Sequence, residues 1–413
     1  MAQTQTQHGA TGVLAGIRVA DFSRVLAGPY ATMLLADFGA DVVKIESPAG
    51  DDTRQWHPPV GPDGQATYFG SVNRNKRSVA LDLSDRAGLA EARRLAATAD
   101  VVVENFRPGV MARFGLAYED VRALNPRVVY CSITGFGAGD GAALAGYDLL
   151  VQAVGGLMSI TGEADGEPAK AGVALVDVLT GQNALAGILL ALRRRDATGE
   201  GSLVEVNLLH SLLSALTNQA GSTLATGRAP ARLGNAHPSI APYAVFRAAD
   251  RELVIAVGND RQFRTLARLL RVPELAEDPR FATNADRVAH RHALHDALDR
   301  ALAAASAAHW VEVLTDAGVP AGLVNDVAEA LAFADGLGLA PVVEIPVDGG
   351  LETPAERADR PAHRSVANPI GLTGAPARYL TPPPRLDADR GADWHPSPAH
   401  DERPNPAPEG TDR

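Results

Sequence analysis

Between residues 17 and 136 the chain alternates five short β-branched or apolar segments, IRVADFS, ADVVKIE, SVALDL, DVVVENF and RVVYCSITGF, with helix-like ones. PYATMLLADFGA has a proline near its start and a glycine near its end, and RAGLAEARRLAATA is amphipathic. Strands separated by helices cannot pair as hairpins, so the pattern predicts a parallel sheet with helices on its faces, a Rossmann-like α/β fold. The first strand-to-helix turn, FSRVLAGPY, lacks the G-x-G-x-x-G that lets a backbone close on a pyrophosphate. A bound dinucleotide cofactor is therefore not expected. A ligand of such a sheet still binds beyond the carboxyl ends of its strands.

The residues that follow or flank those strands are polar and basic. Asn73, Arg74, Asn75, Lys76 and Arg77 precede the third strand, Asn105, Phe106 and Arg107 follow the fourth, and Arg113 lies nearby. Any one run reads as a solvated loop. Together, at adjacent strand ends, they have the chemistry to hold phosphates and stack an adenine. That clustering matters because the formal net charge is -11, which argues against nucleic acid as the main partner and leaves an anionic ligand only a local basic patch.

Asp177 stands in the apolar run ALVDVLTG, where an ionised side chain needs partners or a purpose. The segment that follows, VLTGQNALAGILLALRRR, has helical spacing and a basic last turn, so Asp177 fits a helix N-cap. It also fits a nucleophile, because a carboxylate at a helix start stays ionised.

At 413 residues and 46% hydrophobic content two domains are expected. Residues 1–12 read as a disordered tail and 13–225 as the first part of a large domain. Residues 226–326 read as a smaller α/β domain with strands AVFRA and ELVIAVGN, residues 327–380 as a return segment, and 381–413 as a disordered proline-rich tail. Gly258, Asn259 and Asp260 form a turn after ELVIAVGN. Cys131, alone in RVVYCSIT, reads as a buried hydrophobe, and His210 and His237 show no metal-ligand spacing. The polar N-terminus has no apolar leader and no apolar run is long enough to span a bilayer, which gives a cytoplasmic expectation.

Ten segments in order carry a resemblance: DFSRVLAGPYATMLLADFGADVVKIE, GDDTRQW, NRNKRSVALDL, VVENFRPGV, NPRVVYCSITGFG, GYDLLVQAVGGLMSITG, the Asp177 run, NAHPSIAPY, GNDRQF and GVPAGLVNDV. From about residue 14 to 375 the chain resembles the class III CoA-transferases. The resemblance implies a large Rossmann-like domain built from both chain ends, a small inserted domain, and an interlocked homodimer. It implies that Asp177 is the catalytic nucleophile and that Val25, Leu26, Asn73, Arg74, Asn75, Lys76, Asn105, Phe106, Arg107 and Arg113 line the CoA site. The Gly258–Asp260 turn matches a loop that covers the active carboxylate. The substrates would be an acyl-CoA and a small carboxylic acid, with coenzyme A as part of the substrate, no permanently bound cofactor and no metal. Leu26 stands where formyl-CoA transferases carry Gln, which implies a larger acyl group, a dicarboxylic donor such as succinyl-CoA. The same family contains α-methylacyl-CoA racemases with a His where this chain has Tyr147, and Tyr is a poor base at neutral pH. A CoA-binding protein without chemistry would be expected to lack Asp177.

Overall fold

The computed structural model describes residues 12–347 and 362–396 and divides into two compact units. The first comprises residues 1–155, 172–220 and 340–413, and the second residues 156–171 and 221–339. The first unit begins β1 (Arg18–Asp21), α1 (Ala27–Asp37), β2 (Asp41–Glu46), α2 (Thr67–Gly70), β3 (Lys76–Ala80), α3 (Arg86–Thr98) and β4 (Val101–Glu104). It continues through α4 (Val110–Arg113), α5 (Tyr118–Leu124), β5 (Val129–Thr134) and α6 (Asp148–Val154). After α7 (Leu157–Ile160), in the second unit, come α8 (Leu175–Thr198), β6 (Ser202–Asn207) and α9 (Leu208–Ala215); α10 (Thr217–Thr226) spans the boundary.

All five expected strands form, and β6 joins them in one six-stranded sheet of order β3-β2-β1-β4-β5-β6 with every pairing parallel. Ala20, Val43, Val79, Val102 and Tyr130 pack with Ala92, Leu95 and Ala96 of α3 into one buried core, while α1 packs against α8 and β2. Sequence order reverses between β1 and β4, and the crevice at their carboxyl ends is where such a sheet binds its ligand.

The second unit holds β7 (Tyr243–Arg247), β8 (Glu252–Ala256), α11 (Asp260–Leu269), α12 (Asn284–Ala289), α13 (Arg291–Leu302), α14 (Ala307–Asp316), β9 (Ala321–Leu323) and α15 (Val327–Gly336). Its three strands form an antiparallel sheet of order β7-β8-β9, on which Phe246, Leu253 and Ile255 pack with Phe263, Leu298, Trp310 and Leu314. The chain then returns to the first unit as the antiparallel pair β10 (Val342–Pro346) and β11 (Ala362–Val366).

Three boundaries differ from expectation. Residues 156–171 join the second unit, and so does 327–339, placed in the return segment from sequence. The segment 381–396, read as part of a disordered tail, is docked on the sheet edge, while the remainder of that tail lies outside the described residues. Asp389 and Asp387 accept the Ser78 and Ala80 N–H groups of edge strand β3 at 2.9 Å each, and the Asp389 N–H donates to the Ser78 carbonyl at 3.0 Å. Trp394 is buried in the α3 core and donates from Nε1 to Thr98 Oγ1 at 2.8 Å. Hydrogen bonds to an otherwise open strand, with one large apolar anchor, order a segment too polar to form a core of its own.

Among the described residues α8 is long and apolar enough to cross a membrane. It packs instead against α1, α6, α9, β5 and β6.

Candidate active site

The crevice is built on the turn between β1 and α1. Asn105, just past β4, accepts the Arg24 N–H on Oδ1 and donates from Nδ2 to the Arg24 carbonyl, both at 2.8 Å, which laces the two strand ends together. The next residue, Val25, has φ 67, a left-handed conformation that costs a β-branched residue steric strain. Asp51 stabilises it by accepting its N–H at 3.2 Å. Helix α1 then starts with Leu26 as its N-cap, and no hydrogen bond from the Leu26, Ala27 or Gly28 N–H is found among the described residues. Pro29 has no N–H to satisfy. Three free amides at the positive end of a helix can receive negative charge on an oxygen.

Beneath that turn lies a network of buried ions. Asp21 accepts from the Ser23 hydroxyl, from Thr32 Oγ1 at 2.6 Å and from Lys76 Nζ at 3.1 Å. Lys44 donates to the Ser23 carbonyl at 2.8 Å and pairs with Asp51 at 2.9 Å. Burial would push Asp51 up, but Lys44 and the Thr53 N–H and hydroxyl outweigh it and hold the carboxyl at about 2. Burial pushes the Lys76 ammonium down to about 8 against the attraction of Asp21.

This network corrects the expectation for the Asn73–Lys76 run. Asn73, Arg74 and Lys76 are all buried, and none lines either cavity described below. Asn73 bridges the Phe69 carbonyl and Lys76 Nζ, at 2.9 Å each. Arg74 grips Asp37 through two hydrogen bonds of 2.9 and 2.6 Å and reaches Ser365 Oγ at 2.7 Å. Asn75, at φ 61, donates to the Arg378 carbonyl at 2.7 Å and accepts from Leu380 N–H at 2.7 Å. These four residues fasten the sheet to the returning chain and to the β1–α1 turn.

Asp177 lies across the same crevice, as the third residue of α8. It is not the N-cap, which is Ala174. The capping carboxylate is Asp148, at the start of α6, whose Oδ2 accepts Val176 N–H at 2.8 Å and Asp177 N–H at 3.1 Å. Buried Gln152 donates to its other oxygen at 2.5 Å. Burial, and then the neighbouring Asp148 charge, push the Asp177 carboxyl up to about 7. Tyr68, on α2, is pushed up by burial and then by Asp177 and Asp148. Gly181, one turn further along α8, lets α1 approach: a Cβ there would sit 2.6 Å from the Ala27 carbonyl oxygen.

A cavity of about 180 Å³ gathers Asp177, Asp148, the Arg24–Ala27 turn, Asn105, Phe106, Arg107 and the Thr134–Gly137 turn. A second, of about 260 Å³, lies among Phe22, Ser47, Leu81, Leu83, Phe106 and Phe114, and Arg24 and Phe106 line both. The Arg24 guanidinium sits 5.2 Å from the Phe106 ring centre. Arg107 is exposed in the crevice, whereas Arg113, exposed at the end of α4, lines neither cavity. The predicted site residues brought together are thus Asp177, Val25, Leu26, Asn105, Phe106 and Arg107. Asp148 was missed. Its only sequence signal is an acidic residue in GYDLL, which reads as an ordinary helix start, and the α8 amides it caps lie 28 and 29 positions away.

Gly258, Asn259 and Asp260 lie in the second unit at the start of α11. Gly258 N–H is taken by Gln262 Oε1 at 2.8 Å, Asn259 caps the helix, and Asp260 pairs with Arg287 at 2.7 Å. Cys131 is buried, and burial pushes its thiol well above its ordinary value. His237 accepts Ser239 N–H on Nδ1 at 3.0 Å. Among the described residues no group of three His, Cys, Asp or Glu side chains is placed to hold a metal ion.

Compared with known proteins, the sequence matches CoA-transferase family III over residues 14–390. It is 45% identical over 380 residues to the succinate–glutarate CoA-transferase of Agrobacterium fabrum, covering 90% of this chain and 92% of that one. It is 41% identical over 372 residues to the succinyl-CoA:glutarate CoA-transferase of Mus musculus, covering 89% and 85%. The structure resembles the crystal structure of a CaiB/BaiF family protein from Brucella suis with a TM-score of 0.80 at 42% identity, covering 91% of this chain and 97% of that one.

Proposed function

The chain belongs to CoA-transferase family III, and from that premise we propose that it carries CoA from an acyl-CoA donor to a free carboxylate through Asp177, with succinyl-CoA as donor and a dicarboxylic acid as acceptor. The observation that carries the reading is a half-buried carboxylate, held up to about 7, facing the free amides of α1 across one cavity. The choice of acids rests on relatives named for succinate and glutarate.

A carboxylate in water is too weakly nucleophilic to open a thioester, so the site must position it and exclude water. An Asp177 oxygen attacks the thioester carbonyl, the C–S bond breaks, and CoA leaves as a thiolate with a mixed anhydride behind it. The thiolate then attacks the aspartyl carbonyl and the donor acid departs, leaving an aspartyl-CoA thioester. An acceptor carboxylate attacks that thioester to regenerate anhydride and thiolate, and thiolate attack on the acceptor's acyl carbon releases the new acyl-CoA and Asp177. Each attack places negative charge on a tetrahedral oxygen, and the Leu26, Ala27 and Gly28 amides are the donors suited to it. Arg107 and the Arg24–Phe106 pair are suited to the phosphates and adenine of CoA, and Arg24 and Phe106 line both cavities.

The test is chemical. After an acyl-CoA is added, hydroxylamine should modify the peptide carrying Asp177, and Asp177→Ala should abolish both modification and exchange while still binding CoA. In the same assay Arg107→Glu should weaken acyl-CoA binding by about 1–3 kcal/mol and leave trapping intact at saturation. Exchange by Asp177→Ala near the wild-type rate would put the nucleophile elsewhere. Loss of an α-proton to deuterated water without exchange would indicate racemisation.

The working unit we propose is a homodimer of interlocked chains. Support comes from large apolar side chains left exposed on the single chain, including Leu190 (72%), Leu224 (88%), Val327 (79%) and Leu339 (68%). Light scattering at nanomolar concentration checks this, and a folded, active monomer would refute it.

A further inference from the structure

The amides that open α8 are all used. Leu175 N–H donates to the Val173 carbonyl at 2.8 Å, Val176 and Asp177 N–H donate to Asp148, and Val178 N–H reaches the Ala174 carbonyl at 3.2 Å. An aspartate at the third position of a helix would ordinarily draw on those amides and on the dipole, and would be a weak base for that reason. Here the Val176 and Asp177 amides go to Asp148, and its charge faces Asp177 with no cation offsetting it among the described residues. We infer, on the reading that Asp177 is the nucleophile, that Asp148 is a positioning residue for the transfer: it withholds the helix start from Asp177 and keeps a second negative charge beside it.

The elements around Asp177 bring little else that titrates. Helix α1 presents Tyr30, whose ring lies over Gly181, and α2 presents Tyr68. His210 of α9 and Glu205 of β6 line a different cavity, and Cys131 of β5 is buried. Arg24 and Arg107 line the crevice, and neither forms an ion pair with either carboxylate. Burial is the larger cause of the raised basicity of Asp177, and Asp148 is the charge that adds to it; a more basic carboxylate attacks a thioester faster once it is ionised.

The discriminating variant is Asp148→Asn. Its amide oxygen still accepts from Val176 and Asp177, and Gln152 can rotate its own amide to accept the new NH2 group, so the cap is kept while the charge is removed. Formation of the hydroxylamine-trappable adduct is followed against pH in wild type and variant, with melting temperature and acyl-CoA KM measured alongside. The expected result is half-maximal adduct formation near neutrality in wild type, moved toward the ordinary carboxylate range in Asp148→Asn. The variant's rate well above neutrality should fall several-fold with KM unchanged. A merely structural cap would lower the melting temperature and leave the pH profile where it was. Superimposable profiles, with Asp177→Ala inactive, overturn this inference and leave the nucleophile in place; an active Asp177→Ala overturns the nucleophile first. Should Asp148→Asn not fold, a wild-type profile that is flat through neutrality is enough to refute the inference.

Discussion

Two groups of carboxylates, one buried and one half-buried, flank one crevice and are treated in opposite ways. Under the β1–α1 turn, Asp21 and Asp51 each meet an ammonium, Lys76 at 3.1 Å and Lys44 at 2.9 Å, and Asp51 is held at about 2. Across from them Asp148 meets the helix amides and the neutral Gln152, neither it nor Asp177 meets a cation among the described residues, and Asp177 rises to about 7. Burial acts on both groups; the cations decide the sign. The paired group fixes backbone, including the strained Val25, while the unpaired one keeps a carboxylate poised near neutrality for chemistry.

The largest effect should come from breaking the paired side. Lys44 is fully buried, and Lys44→Ala leaves the buried Asp51 charge without its ammonium partner and the Ser23 carbonyl without the Lys44 donor. The expected cost is about 3–5 kcal/mol, read as a lower denaturation midpoint, with activity lost among the molecules that remain folded because the Leu26–Gly28 amides are no longer held. A loss within 0.5 kcal/mol, as for an ordinary surface change, would mean that the network is not what supports the turn.

That contrast was only half legible in the sequence. The five strands, their helices and Asp177 could be read because each is a local pattern of periodicity or of one charged residue in an apolar run. The Asn73–Lys76 and Asn105–Arg107 runs look alike as strings, yet one is buried and the other opens on the crevice. What separates them is distant: Arg74 meets Asp37 and Ser365, 37 and 291 positions away, and Lys76 meets Asp21, 55 positions away. Only a sheet that brings β1, β2 and β3 side by side creates those pairs. The docked segment 381–396 escaped notice for a related reason, since acidic residues that satisfy an edge strand leave no apolar periodicity to detect.

The unpaired side yields the smaller effect, with the opposite sign in pH. A carboxyl held at about 7 when folded and 3.8 when not contributes stability that is fully present below about pH 4 and is lost as pH rises through 7. Asp51, held at about 2, does the reverse: its contribution is present above about pH 4 and is lost as pH falls through 2. Asp177→Asn removes only the first dependence. Because Asp177 is partly open to solvent, the variant should be more stable than wild type by about 1–3 kcal/mol above pH 7, less than the full shift would give. The difference should shrink steadily as pH falls and vanish near 4, while exchange stays absent throughout. Denaturant midpoints of the two proteins at intervals from pH 4 to 8 measure it. Equal stability across that range would mean that Asp177 is compensated by a group the single chain does not supply, and the division between paired and unpaired carboxylates would then hold for the isolated chain alone.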